Sequence, residues 1–146
     1  MAWSASGLPL TTIIDVFDAT QRALDTSLTT HKIALYNNSD TPNFSTDSAF
    51  SSTNEVSGTG YTAGGQALAS PTTTESPTGT LKYDTADPSW TSSTITNAYG
   101  GKAYADALAT NDIFCEINFG AGYNTSAGTL TLQLASGGMF TIDCTP

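Results

Sequence analysis

The sequence predicts a mainly β, single-domain protein: a β-sandwich or flattened barrel of six to eight short antiparallel strands with one N-terminal amphipathic helix. Three observations lead there. First, 42 of 146 residues are Ser or Thr, types that suit pleated strands and turns better than long helices. Second, the C-terminal half alternates apolar and polar residues in short runs separated by Gly, Pro, Asn and Asp. Third, a chain of 146 residues that is 38% hydrophobic and 10% aromatic has the length for one domain and enough apolar matter for a core.

Residues 1–12 read as an extended N-terminal arm. Residues 13–28 read as the helix, with Ile13, Phe17, Leu24 and Leu28 on one stripe. Thr12 and Asp15 form a loose capping box, and Asp18 with Arg22 an ion pair on the outer face. The β core then spans residues 32–146. Ile33 and Leu35 alternate with Lys32, Ala34 and Tyr36 as a first strand with one buried face. From Asn37 to about Ser76 the chain is polar, yet isolated aromatics (Phe44, Phe50, Tyr61) and the possible short strands at Val56 and Leu68 argue for order. Gly58, Gly60, Gly64 and Gly65 lack the Lys-Ser or Lys-Thr pair of a phosphate loop, so they predict positive-φ turns.

Further strands are read at Thr80–Tyr83, Trp90–Thr96, Ile113–Phe119, Thr129–Leu134 and Met139–Cys144. Turns fall at 84–88, 120–128 and 136–138, whereas 98–109 fits a short helix or a broken hairpin equally poorly. Within these strands Ile113, Cys115, Ile117 and Phe119 share one face, Glu116 points outward, and Phe140, Ile142 and Cys144 point inward. Cys115 and Cys144 are thus expected to be reduced core residues.

Charge narrows the partners. Four basic against 13 acidic residues give a formal net charge of -9, which repels polyanions and argues against direct nucleic-acid or anionic-membrane binding. No apolar run reaches membrane length, and the N-terminus lacks the basic and apolar stretches of a secretory signal, so synthesis in a cytosol is expected. Chemistry is sparse. His31 is the single histidine and reads as an exposed junction residue; Asp84 and Asp87 read as turn residues, and Glu55, Glu75 and Glu116 as carboxylates without a recognisable partner pattern. These residues predict no metal, no cofactor and no enzyme.

The blocks 54–65 (NEVSGTGYTAGG), 32–36 (KIALY), 86–90 (ADPSW), 93–96 (STIT) and 117–120 (INFG) occur in an order that resembles a family of small virion proteins of tailed bacteriophages. The resemblance runs from about Lys32 to the C-terminus. Pro88 and Gly100-Gly101-Lys102 depart from the family pattern and leave the strand near Tyr99 open. What the resemblance implies is a virion location after synthesis in the host bacterial cytoplasm, and a capsid decoration or minor capsid role. Partners would be the major capsid protein or other virion proteins, with a symmetric homo-oligomer as the binding form.

A lattice-binding protein needs a rigid core, contact loops and an arm. Trp3, Leu8, Pro9 and Leu10 in the arm are therefore the expected partner-binding residues, Trp3 serving either as an anchor on a neighbour or as packing for its own helix. Two alternatives stand beside this: a tail or head-to-tail junction component, and a receptor or carbohydrate-binding module using Tyr61, Trp90 or Tyr123 as stacking platforms.

Overall fold

A computed structural model describes residues 3–17, 24–76 and 79–144. Among these, the helix α1 spans Leu10–Phe17. Nine strands follow: β1 Lys32–Tyr36, β2 Gln66–Ala67, β3 Thr72–Ser76, β4 Thr80–Asp84, β5 Ser89–Ser93, β6 Ala98–Tyr104, β7 Ile113–Tyr123, β8 Gly128–Thr131 and β9 Phe140–Asp143. All pairings are antiparallel, in sheets ordered β2-β1-β6-β7, β3-β4-β9 and β5-β8. The arrangement is sandwich-like and does not close into a barrel. The expected mainly β sandwich is therefore present, with nine strands where six to eight were read.

Alternation along β1 explains the two sides of the large sheet. Ile33 and Leu35 face a principal core with Val56, Leu68, Tyr83, Trp90, Ile95, Phe114 and Cys115. Ala34 and Tyr36 face the other way, into a smaller cluster with Trp3, Tyr104 and Ile113. Both faces of β1 are thus covered, so it is buried from Ile33 to Tyr36. In β7 the simple alternation fails. The β6–β7 register shifts between Ala103 and Tyr104, and this irregularity sends Ile113 to the smaller cluster while Cys115 stays in the principal one.

Several expectations about the N-terminal region are corrected. Residues 3–12 do not project as an arm: Trp3 is 1% exposed, Gly7 exchanges two backbone hydrogen bonds with Glu116 on the β7 edge, and α1 has begun by Leu10. The helix also does not reach Leu28. Asp25 Oδ1 accepts from the Ser27 N–H and hydroxyl, at 2.9 and 2.6 Å, a local turn that competes with helical bonding. Leu24 and Leu28 accordingly lie outside any helix. The Phe17 side chain and the Asp18–Arg22 pair fall outside the described residues. Thr12, read as a cap, is inside α1 and donates to the Ile113 carbonyl.

The open stretch 98–109 resolves into strand over 98–104, glycines included, because the close packing there has no room for side chains. A Cβ on Gly100 would stand 2.6 Å from the Trp3 indole, and one on Gly101 3.1 Å from Ile33. β3 was not read in advance: its burial pattern is almost uniformly exposed, so it has no apolar period, only threonine's preference for strands. β7 continues through Gly120 (φ +76) to Tyr123, where a turn was read. The Gly58–Gly65 turns are as expected, all four glycines having positive φ.

Candidate functional site

Four chemistry-bearing side chains converge on the outer face of the large sheet. Lys102 of β6 is the register partner of Glu116 on β7 and of Ala34 on β1. The chain after β1 loops back over this face and delivers Asp40 and Asp47. Lys102 Nζ lies 3.2 Å from Asp40 Oδ2, 3.1 Å from Asp47 Oδ2 and 3.3 Å from Glu116 Oε1. Rings roof the ammonium: Nζ is 5.9 Å from the Trp3 centroid and 5.1 Å from that of Tyr36. The roof depends on Gly100, beside which the indole lies, and on a bond from Trp3 Nε1 to the Asn37 carbonyl at 3.2 Å.

Burial dominates the electrostatics. The Lys102 side chain is 8% exposed and Glu116 fully buried, so charged forms lose hydration there. The Glu116 carboxyl is pushed up to about 7, mainly by burial, against the pull of Lys102. Asp40 is raised for the same reason. Burial lowers Lys102, but the surrounding carboxylates outweigh it and hold the amine above its ordinary value. Both Glu116 oxygens and Asp40 Oδ2 are buried without a directed hydrogen bond, the Lys102 contacts being ionic. Asp47 is better served, accepting from Lys102 at 3.1 Å and from the Asn43 N–H at 3.1 Å. Glu116, read as pointing outward, thus sits under the N-terminal segment, because that segment covers the face it occupies.

The remaining residues singled out in the sequence are separated. Glu55 Oε1 accepts from Tyr61 Oη at 2.6 Å and from the Gly64 N–H at 2.7 Å, while Tyr61 Oη accepts from the Leu35 N–H at 3.0 Å. These bonds tie the glycine-rich loop to β1. Glu75 accepts from Gly79 N–H at 3.1 Å. Asp84 pairs with Lys82 at 2.9 Å, and Asp87 accepts from Leu134 N–H at 2.9 Å. His31 is not an exposed junction residue: it is 1% exposed, packs on Phe114 at 5.5 Å, and donates through Nε2 to the Asp25 carbonyl at 2.7 Å. Cys115 is buried as expected, but Cys144 is exposed, since it follows the last residue of β9.

Of the four expected partner-binding residues, Trp3 and Pro9 are buried in the protein's own interior and Leu8 packs partly against the principal core. Leu10 alone faces outward. It is 51% exposed, as is Ile14 one turn later, and Val16 is 40% exposed. Ile14 and Val16 were not singled out in the sequence, because they lie off the Ile13–Phe17 stripe read as the helix's apolar side. The three proposed stacking aromatics do not form one platform either. Tyr61 is bonded to Glu55 and stacks on the buried Trp90, whereas Tyr123 is 48% exposed. Trp90 and Tyr123 do share, with Phe119, Leu130 and Leu132, an apolar groove of about 360 Å³.

The fold and these sites define a sandwich-like antiparallel β domain with a buried lysine–carboxylate cluster and a short helix that exposes Leu10, Ile14 and Val16. No family model, curated protein or solved structure matches the chain.

Proposed function

We propose that this chain is a non-enzymatic structural component of a tailed-bacteriophage particle, a decoration or minor capsid protein that docks on the assembled head as a symmetric oligomer. The observation that carries the reading is α1. Three of the five exposed large hydrophobic residues among those described, Leu10, Ile14 and Val16, fall on this one eight-residue helix. Apolar clusters on an otherwise hydroxyl-rich surface favour burial against another protein. The resemblance of the 54–65 block to small phage virion proteins points to a shell as that protein. The same block is fastened to β1 through Glu55 and Tyr61, which suits a rigid scaffold.

The test separates particles into DNA-filled heads and detached tails and quantifies the chain in each by mass spectrometry. Enrichment in heads, lost when Leu10→Glu and Ile14→Glu are combined in a chain that still folds, is the expected result. Enrichment in tails at ring-like copy number moves the role to a junction or tail component, and absence from both ends the structural reading.

A second reading, a carbohydrate-binding module, is favoured by the groove under Tyr123, where the buried Trp90 Nε1 has no hydrogen-bond partner. Quenching of tryptophan fluorescence by a panel of surface glycans, absent in Tyr123→Ala, would move the assignment there.

A further inference from the structure

We propose that Lys102 joins covalently to Asp40 through an intramolecular isopeptide bond, with Glu116 carrying the proton. This inference is independent of the virion reading: it concerns a single turnover of the chain on itself.

The geometry supplies a nucleophile, an electrophile and a proton carrier in a largely buried cluster. Nζ of Lys102 is 3.2 Å from Asp40 Oδ2 and 3.3 Å from Glu116 Oε1. Trp3 and Tyr36 roof the site, and the side chains of Lys102, Asp40 and Glu116 are 8%, 11% and 0% exposed. In water an ammonium and a carboxylate are inert to each other, because hydration stabilises both charges. Out of water, transfer of one proton from the amine to the carboxylate yields a neutral amine beside a neutral acid, and that form reacts. Burial acts in this direction on both partners, and it holds the Asp40 and Glu116 carboxyls above their ordinary range. The surrounding carboxylates favour the ammonium, so the free amine is a minor form and the reaction is slow. Enforced proximity compensates, since a fixed pair behaves as though at very high concentration.

The three carboxyl groups differ in ways that assign their roles. Asp47 accepts two hydrogen bonds and its side chain is 24% exposed, so its oxygens are already engaged and partly open to solvent. Asp40 Oδ2 is buried with no directed hydrogen bond and lies 3.2 Å from Nζ, and Asp40 comes from the loop that follows β1. Glu116 is the cross-strand neighbour of Lys102, placed beside the amine.

In the reaction the Nζ lone pair attacks Cγ of Asp40, and a C–N bond forms as the carbonyl π bond opens. Glu116 in its ionised form takes a proton from the nitrogen and returns it to the departing hydroxyl; the oxyanion's electron pair re-forms the carbonyl as the C–O bond breaks. The sum is one ammonium plus one carboxylate giving one amide plus one water. The net charge of the chain is unchanged, and no oxidant, reductant or further reagent is consumed. The closed aromatic roof disfavours the return of water.

The experiment is the intact mass of the purified full chain after prolonged incubation at neutral pH, followed by tandem mass spectrometry of its peptides. The expected result is a chain lighter by one water than its sequence, with peptides containing Asp40 and Lys102 linked. K102R and D40A keep their sequence masses. D40N separates this chemistry from others, because the same attack then expels ammonia in place of water. E116Q, folded by circular dichroism, forms the link at least about a hundredfold more slowly, the lower end of what a lost proton carrier costs. A folded wild-type chain at full sequence mass overturns the proposal. So does a water loss that persists in K102R, which would mark aspartate cyclisation.

Discussion

Lys102 and Glu116 are directly opposed on antiparallel strands, a pairing that in solvent contributes a few tenths of a kcal/mol up to about 1 kcal/mol. Here the N-terminal segment covers the pair and two further carboxylates approach it, so burial governs what these residues can do. The same contrast separates the cysteines. Cys115 is 3% exposed, and burial together with the adjacent Glu116 pushes its thiol up to about 12, whereas Cys144 lies open at the end of β9. A thiol reagent applied to the native protein is therefore expected to label Cys144 quickly and Cys115 only after denaturation. Rapid labelling of Cys115, read from peptide masses, would contradict its place in the core. Sequence alternation had put both cysteines inward. It could not register that Cys144 follows the final pair of the β4–β9 ladder, Thr80 with Asp143.

At the level of elements, β6 and the N-terminal segment depend on each other. Gly100 leaves the space that Trp3 occupies, and Trp3 in turn covers the Tyr36, Lys102 and Glu116 face of the sheet. Gly100→Ala is expected to cost about 2–3 kcal/mol, as overpacking against a ring that cannot move without uncovering the ion cluster. Gly137→Ala, with nothing within 4 Å of the added methyl group, is expected to stay within about 0.5 kcal/mol of wild type. Urea unfolding of the two variants measures both, and equal stabilities would remove Trp3 from its slot. The period of the strands was legible because β1, β7, β8 and β9 carry apolar residues at alternate positions. The helix bounds were not. A stripe from Ile13 to Leu28 satisfies helical spacing, but spacing cannot show that the Asp25 side chain captures the Ser27 N–H and bends the chain first.

At the level of the whole molecule, the buried cluster predicts how stability varies with pH. A carboxyl raised in the folded state binds its proton more tightly there than in the unfolded chain. For Glu116 the folded protein therefore keeps a proton that the unfolded chain has lost, between the ordinary value of 4.5 and about 7. Its contribution is fully present below 4.5 and declines as pH rises through 7, and in a chain whose Asp40 carboxyl is still free, raised Asp40 acts with the same sign. Stability is expected to fall by roughly 1–3 kcal/mol between pH 5 and pH 8 from this cluster, and Glu116→Gln should flatten that slope. Tyr83 and Tyr104, both raised by burial to about 12, extend the decline into alkaline solution. Urea midpoints at several pH values provide the check, and a wild-type slope rising with pH would mean that Glu116 is ionised in the folded state.

Local pattern was enough to establish the sandwich-like β class, most strand positions and the positive-φ turns of the glycine-rich loop, because each depends on neighbours one to four residues away. The cluster needed more. The pair Asp40 and Asp47 lies more than fifty residues from Lys102 and Glu116 in the chain, and the four meet because the β1–β6–β7 register aligns Ala34, Lys102 and Glu116 while the loop after β1 folds back over them. The fate of Trp3 was equally invisible, since both an outward anchor and an inward plug fit its sequence context. Its burial follows from a slot whose floor is a glycine nearly a hundred residues away. Long-range register and the space left by missing side chains carry no period along the chain, and only the folded arrangement reveals them.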